Sequence, residues 1–334
     1  MARVALNGLG RIGKLLLRRL VDTGFPHDIV WANDPGAGVE DHAVLLEFDS
    51  VHGRWDKPVT VNGNALDVAG RTIPIRRETA LEAFDMSGVD LVLDSTGVFR
   101  TGERIEPYFD AGASKVLVSA PVKDGGALNL VYGINHDLYD PAVHRIVTAA
   151  SCTTNCLAPV VKVIHEEIGI RHGSITTIHD ITNTQTIVDR PAKNLRRARS
   201  AMTNLIPTTT GSATAITLIY PELKGRLNGH AVRVPLLNAS ITDCVFEVER
   251  ETNAAEVNAL FQKWADGPLE GILGVETREL VSSDYLNEPR SAVIDAQSTM
   301  VVNGTQVKIY AWYDNEWGYA CRMADLALMM AGKM

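Results

Sequence analysis

Cysteine is scarce in this sequence: four residues, Cys152, Cys156, Cys244 and Cys321, in a chain of 334. So thin a set gives no disulfide framework and fits a reducing cytosol, so a cytoplasmic protein is expected. No apolar run has the length of a membrane span, and the N-terminus enters an alternating strand without a signal-peptide core. Basic residues are in the minority, 32 Lys and Arg against 40 Asp and Glu, for a net charge of −8. A field of that sign repels nucleic acid and anionic membranes, so neither is an expected partner. Internal repeats, low-complexity tracts and long linkers are missing as well. What remains is globular: 46% hydrophobic and 22% charged residues exclude extensive disorder. The length exceeds one ordinary core, which makes two domains the expectation.

The first half alternates short apolar runs with helical segments. Arg3–Asn7, Asp28–Asn33, Asp90–Asp94, Lys115–Ser119 and Arg145–Thr148 read as buried strands, and Arg11–Asp22 as a helix. This pattern predicts an α/β fold with a Rossmann-type doubly wound parallel sheet. After Ser151 the pattern changes to longer alternation at Ser174–His179, Ala231–Pro235 and Ser240–Arg250. Asn303-Gly304 between Val301–Val302 and Val307–Trp312 predicts an antiparallel hairpin. With a helix at Ala254–Ala265, this part reads as an α+β domain with a mainly antiparallel sheet. The expected domains are 1–150 and 151–316, with a last helix, Trp317–Ala331, returning so that 317–334 completes the first.

Gly8, Gly10 and Gly13 follow the first strand directly and open the first helix. In a dinucleotide fingerprint the first glycine makes the tight turn, the second admits the pyrophosphate, and the third lets helix and strand pack closely. The helix N-terminus adds positive potential. Asp34, 21 positions after Gly13, is placed at the end of the second strand to accept hydrogen bonds from ribose hydroxyls. Its charge would repel a ribose 2′-phosphate, so NAD is the expected cofactor. Thr96-Gly97 and Ser119-Ala120 stand at the carboxyl ends of further strands, where a cofactor or an ordinary loop would lie.

Cys152 sits in Ser151-Cys152-Thr153-Thr154-Asn155-Cys156, ahead of a helical segment expected at Leu157–Ile168. A thiol near a helix N-terminus is favoured as thiolate, and the polar neighbours speak against an inert, deeply buried cysteine. Cys156, four residues on, reads as a small packed residue. With only His165 nearby the two make a poor metal pair, so no metal is expected. His179 closes a β-rich run and is one of nine histidines, which spacing alone does not single out as a base.

Along essentially its whole length the chain resembles the glyceraldehyde-3-phosphate dehydrogenases. The matching runs are Asn7–Gly13, Asp49–Arg54, Ser119–Pro121, Ser151–Pro159, Thr176–His179, Leu195–Arg199, Ile206–Gly211, Pro221–Gly225, Arg233–Pro235 and Trp312–Gly318. The resemblance implies a catalytic thiolate at Cys152 and its base at His179. It implies NAD contacts at Arg11, Ile12, Asp34, Arg77, Ser119 and Asn315, the last on the nicotinamide amide. Thr182 and Arg233 match the pocket for the substrate's phosphate. Ser151, Thr153, Arg197, Thr210 and Gly211 match that for inorganic phosphate. The implied reaction oxidises a phosphorylated aldehyde through a thioester in a homotetramer, with a loop around Asp180–Ser200 reaching a neighbouring cofactor site.

The segment Asp180-Ile181-Thr182-Asn183-Thr184-Gln185 departs from the common glycolytic form, where a Ser-Tyr pair holds the first two positions. Together with 149–170 and 236–250 it resembles a subgroup found with arsenic-resistance genes, in which arsenate replaces phosphate. Erythrose-4-phosphate dehydrogenase is the nearest alternative, disfavoured by Thr208–Gly211 and Arg197, which look like an intact phosphate site. A non-catalytic NAD-binding redox sensor is the alternative of another class, disfavoured by retention of two anion pockets.

Overall fold

A computed structural model describes all residues, Met1–Met334. The chain divides into two compact units, one formed by Met1–Ser151 with Ala320–Met334 and the other by Cys152–Tyr319.

The first unit contains β1 (Arg3–Asn7), α1 (Arg11–Asp22), β2 (Asp28–Asn33), α2 (Val39–Glu47), β3 (Val59–Asn62), β4 (Ala65–Val68), β5 (Arg71–Arg76), β6 (Leu91–Asp94), α3 (Gly102–Asp110), β7 (Lys115–Val118), β8 (Leu128–Asn129) and β9 (Ile146–Thr148). They form one sheet ordered β3-β4-β5-β2-β1-β6-β7-β9-β8. From β5 through β2, β1, β6, β7 and β9 to β8 every pairing is parallel, while β3-β4 and β4-β5 are antiparallel. The central strands are buried on both faces, which is why they read as continuous apolar runs. Helix α1 buries Leu15, Leu16, Leu17, Leu20 and Val21. A cluster built on Trp31, Val92, Tyr108, Val116 and Ile146 fills part of the core. The antiparallel edge of 59–76 was not expected, because exposed Thr60, Val61 and Asn62 blur its alternation.

The second unit contains α4 (Cys152–Glu167), β10 (Ile170–His179), β11 (Ile206–Thr209), α5 (Ser212–Ile219), β12 (Leu227–Arg233), β13 (Ser240–Val248), α6 (Ala254–Ala265), β14 (Leu273–Glu276), β15 (Ala292–Asp295), β16 (Met300–Val302) and β17 (Gln306–Tyr313). The last helix, α7 (Trp317–Ala331), begins here, and from Ala320 onwards its residues belong to the first unit. The sheet runs β11-β12-β10-β13-β17-β15-β14, with β16 also on β17. Only β10-β12 and β14-β15 are parallel. β13 and β17 alternate buried and half-buried residues, the mark of a sheet with one face on a core. In the expected hairpin, β16 pairs antiparallel with β17, and Asn303 and Gly304 hold φ of 50° and 74°.

Three elements differ from the sequence reading by four residues or more at one end. The strand expected at Ala231–Pro235 lies at Leu227–Arg233, and that expected at Ser174–His179 begins at Ile170. The helix expected from Leu157 begins at Cys152 itself. Ser, Thr and Asn are poor in helix interiors but suited to a first turn, so Thr153, Thr154 and Asn155 do not stop it. No helix is long and apolar enough to cross a membrane.

Candidate active site

In the first unit the carboxyl ends of four neighbouring strands are stitched together. Gly8 N donates to Asn33 O at 2.8 Å, Ser95 N to Asn7 O at 2.7 Å, and Ser119 N to Asp94 O at 2.8 Å. Gly8, Asp34, Thr96-Gly97 and Ser119 therefore line one end of the sheet. Gly8 holds φ 97°, and a Cβ there would come 2.7 Å from the Ser95 carbonyl carbon. One at Gly13 would lie 1.8 Å from Gly8 O, so α1 meets the turn closely only through glycine. Gly10 is different: its Cβ would meet nothing within 4 Å. This residue caps α1 without a side chain, and the first turn carries no acid. Open space at an uncapped helix N-terminus fits a pyrophosphate.

Asp34 Oδ2 accepts from Leu9 N at 2.9 Å and Oδ1 from Gly36 N at 2.8 Å. The carboxylate is thus fixed beside the glycine turn with acceptor capacity left for ribose hydroxyls. Arg11 and Ile12 occupy the first turn of α1, half-buried, and Arg77 is exposed just past β5. Arg11 forms an ion pair with Asp49, a partner that the sequence reading did not assign. Burial acts against the Asp49 carboxylate, yet hydrogen bonds from His52 N, Arg11 and Val51 N hold it below the usual carboxylate range.

In the second unit Cys152 opens α4, and Ala150 just before it has a left-handed φ of 51°. His179 ends β10, and its Nε2 lies 3.7 Å from Cys152 Sγ. The Tyr313 ring stands edge-on to the imidazole at 6.1 Å, while its hydroxyl lies 2.9 Å from Thr153 Oγ1. On the far side of the ring, Nδ1 is 2.6 Å from Asp180 Oδ1. Arg233 is the register partner of His179 on β12. Its Nη1 reaches Asp180 O at 2.9 Å and also lies 2.6 Å from Nδ1. Nδ1 cannot both donate to the carboxylate and accept from the guanidinium. A protonated Nδ1 satisfies the buried carboxylate and leaves Arg233 the carbonyl oxygen, so we assign the proton to Nδ1.

Charge at this pair follows from its partners. Burial opposes an imidazolium, but hydrogen bonds with Asp180 and Cys152 outweigh it and raise His179 to about 9. Burial likewise opposes the Cys152 thiolate, and His179 and Arg233 outweigh it, so the thiol is held below its ordinary range. The two titrate as one system, with a thiolate–imidazolium form favoured. Cys156, one turn deeper and fully buried, has no such partner, and burial pushes it up to about 12.

Of the other expected residues, Asn315 and Arg233 are hydrogen-bonded into this centre. Asn315 is buried and donates Nδ2 to Asp180 Oδ2 at 3.0 Å, so Asp180 joins it to His179 and Arg233. Arg233 Nε is buried with no protein partner, leaving a donor for an anion. Arg197 reaches Thr208 Oγ1 at 3.1 Å, which ties its loop to β11, and its charge is felt at Arg233. Thr210 and Gly211 precede α5, where a Cβ on Gly211 would meet open space. Thr182 is exposed and bonds within its own turn to Gln185. Ser151 is half-buried beside Cys152. Asp180, Ser240 and Tyr313 were not singled out as site residues from the sequence. Only Asp180 carried a signal, as a departure from the common form. No group of three or more His, Cys, Asp or Glu side chains is placed to hold a metal.

A parallel sheet whose strand ends suit a dinucleotide, and a thiol paired with a histidine, are features of an NAD-dependent oxidoreductase. Residues 2–102 match the family model for the glyceraldehyde 3-phosphate dehydrogenase NAD binding domain, and residues 151–315 that for its C-terminal domain. The chain is 58% identical to glyceraldehyde-3-phosphate dehydrogenase 3 of Nostoc sp., over 98% of both chains. It is 48% identical to glyceraldehyde-3-phosphate dehydrogenase of Geobacillus stearothermophilus, over 99% of this chain and 98% of the relative. With the first enzyme of that name from Bacillus subtilis the identity is 46%, over the same shares. The chain belongs to the glyceraldehyde 3-phosphate dehydrogenase family, and its first unit carries that family's Rossmann-type NAD-binding domain.

Proposed function

We propose that this protein catalyses the NAD-dependent oxidative phosphorylation of D-glyceraldehyde 3-phosphate to 1,3-bisphosphoglycerate. The observation that carries the reading is the Cys152 Sγ to His179 Nε2 contact of 3.7 Å, with the thiol lowered and the imidazole raised. The Cys152 thiolate adds to the aldehyde carbon, and His179 supplies the proton that turns the new oxyanion into a thiohemiacetal hydroxyl. His179 then takes that proton back as the C–H bond breaks, leaving a thioester on sulfur. NAD, when bound, accepts the hydride. Phosphate attacks the thioester carbon, the acyl phosphate departs and Cys152 returns as thiolate.

Gly8, Gly10, Arg11, Ile12, Gly13, Asp34, Arg77, Thr96, Gly97, Ser119 and Asn315 would hold the cofactor. Asp34 disfavours a 2′-phosphate and hence NADP. Thr182 and Arg233 would bind the substrate's phosphate, for which the unpartnered Arg233 Nε is a ready donor. Ser151, Thr153, Arg197, Thr210 and Gly211 would bind inorganic phosphate. Guanidinium groups suit both tasks because they give forked, charge-assisted hydrogen bonds.

Arsenate has nearly the charge and shape of phosphate, so we infer that it enters the same pocket and that the enzyme can serve arsenate detoxification. The assembly we propose is a cytoplasmic homotetramer. Exposed Ile187, Val188 and Leu195 on the 180–200 loop give it apolar surface to cover, and light scattering on the purified protein tests it. NADH formation with glyceraldehyde 3-phosphate, in the presence of phosphate, arsenate or neither, tests the activity. Turnover that requires either anion supports the reading. Oxyanion-independent turnover points to a hydrolytic relative such as an erythrose-4-phosphate dehydrogenase, and NAD binding without turnover to a sensor. Deleting the gene and scoring arsenate tolerance tests the physiological role, which fails if tolerance is unchanged.

A further inference from the structure

The carboxylate behind His179 enters none of the catalytic steps proposed for the thiol and the imidazole. Asp180 is 1% exposed, yet both its oxygens are placed on polar partners. Oδ1 lies 2.6 Å from His179 Nδ1 and 3.0 Å from Ser240 Oγ, and Oδ2 accepts from Asn315 Nδ2 at 3.0 Å. The backbone locks the residue as well: Asp180 N donates to Ser240 Oγ at 3.2 Å, and its carbonyl accepts from Arg233 at 2.9 Å. A buried carboxylate on the far nitrogen of an imidazole, with a thiol on the near one, is the layout that fixes a tautomer and stabilises an imidazolium.

We propose that Asp180 is a positioning residue that makes a Cys152–His179–Asp180 triad: it holds the proton on Nδ1, so that Nε2 alone exchanges protons at sulfur and substrate. The inference rests on the Cys152–His179 pairing of the proposed function. The same carboxylate fixes the Asn315 amide, because Nδ2 turned to Asp180 leaves Oδ1 facing Ser240 Oγ at 3.0 Å. One side chain thus orients both the base and a residue proposed to contact the cofactor. The charged and titratable groups that face His179 are Cys152 from α4, Arg233 from β12 and Tyr313 from β17, with Asp180 beside it. Asp180 is the carboxylate in this set. Replacing it with a neutral isostere therefore removes the anion that favours the imidazolium while volume stays nearly constant.

The test follows alkylation of Cys152 in the full-length protein by anionic iodoacetate and neutral iodoacetamide, from acid to alkaline pH. A neighbouring imidazolium draws in the anion, so the rate ratio reports the charge on His179 without requiring turnover. In the unaltered protein the preference for iodoacetate is expected to decline around pH 9, where His179 loses its proton. In Asp180→Asn the decline should move at least about one pH unit lower. Asp180→Ser, smaller and also neutral, should shift it in the same direction and provides a second variant if the first folds poorly. An unmoved decline in either folded variant overturns the triad. His179→Asn should abolish the decline altogether. If His179→Asn leaves it intact, the Cys152–His179 pairing itself has failed, an outcome distinct from failure of Asp180 alone.

Discussion

Each unit buries a carboxylate, and the two are used in opposite ways. Asp94, at the end of β6, is fully buried and bonded to neutral donors: the Tyr108 hydroxyl, and Thr96 through Oγ1 at 2.9 Å and N at 3.1 Å. Asn7 Nδ2 reaches the same tyrosine oxygen at 2.5 Å, and Asn33 Nδ2 reaches Asn7 Oδ1 at 2.8 Å, so the network ties β1, β2, β6 and α3. Burial dominates there and pushes Asp94 up to about 6 despite those hydrogen bonds. Asp180 is as deeply buried but faces an imidazole that can carry the opposite charge. Its hydrogen bond helps to raise that imidazole to about 9. Burial costs a carboxylate its water in both places, and the neighbour decides whether the result is a structural knot or a charged base.

The largest expected effect tests which unit does the chemistry. Cys152→Ser should lower turnover roughly a thousandfold or more, because the hydroxyl keeps its proton where the thiol gives it up. NAD affinity measured by calorimetry should change little. A variant retaining a tenth of the activity would remove sulfur from the mechanism.

Next comes the comparison of the carboxylates. Asp180→Asn should reduce kcat about a hundredfold, because it impairs the proton transfers that His179 performs. Asp94→Asn should lower kcat no more than about tenfold, since Asp94 reaches the site only through the Thr96 turn and has no contact with the Cys152–His179 pair. Equal losses in both would mean that the second unit's carboxylate is as structural as the first.

The third effect is on stability and separates the pair by pH. Asp94 binds its proton more tightly folded, at about 6, than unfolded, near 3.8, so the folded state holds the extra proton between those values. Stability from this group is present at acid pH, falls as pH rises through that window and is lost above it. Asp94→Asn should flatten that slope and, near pH 7.5, offset as much as about 3 kcal/mol, less whatever the amide loses in hydrogen bonding. His179 writes the other signature. Raised from 6.5, it contributes stability that is full below about 6.5 and is lost as pH climbs through about 9. Melting temperatures from pH 4 to 10 for both Asn variants would show one curve altered on the acid side and the other on the alkaline side. Identical changes would collapse the distinction.

Much of this arrangement is legible in the amino-acid order alone. The central strands of the first unit are buried on both faces, so their apolar runs fix β1, β2, β6 and β7 to within a residue of where they lie. Gly8, Gly10 and Gly13 announce the turn because backbone sterics leave no alternative at two of them. The antiparallel 59–76 edge is hidden by its exposed polar face, and the start of α4 by a Thr-Thr-Asn run of low intrinsic helix propensity. The site divides along similar lines. Local context marks Cys152, whereas His179 lies 27 positions away and needs the family resemblance. Ser240 and Tyr313 come from strands far along the chain, and nothing in their spacing points to the imidazole. Asp180 is visible as an unusual residue, but its role emerges only from the 2.6 Å contact.

The smallest effect concerns sulfur and applies the same rule within one helix. Cys152 and Cys156 both belong to α4, four residues apart, and burial raises both thiols. Only Cys152 has an imidazole and a guanidinium to reverse it. Cys156 instead places its sulfur 3.8 Å from Ala311 O and is fully buried. Native protein treated with iodoacetamide near neutral pH should therefore take up one equivalent per chain, at Cys152, although four free thiols are present. Cys156→Ala should leave that stoichiometry and kcat unchanged and cost about 1 kcal/mol for the small void, read as a modest fall in melting temperature. Labelling of Cys156 at a rate near that of Cys152 would mean that helix position, which the two nearly share, outweighs the charged partners. That outcome would undercut the same reasoning at Asp180.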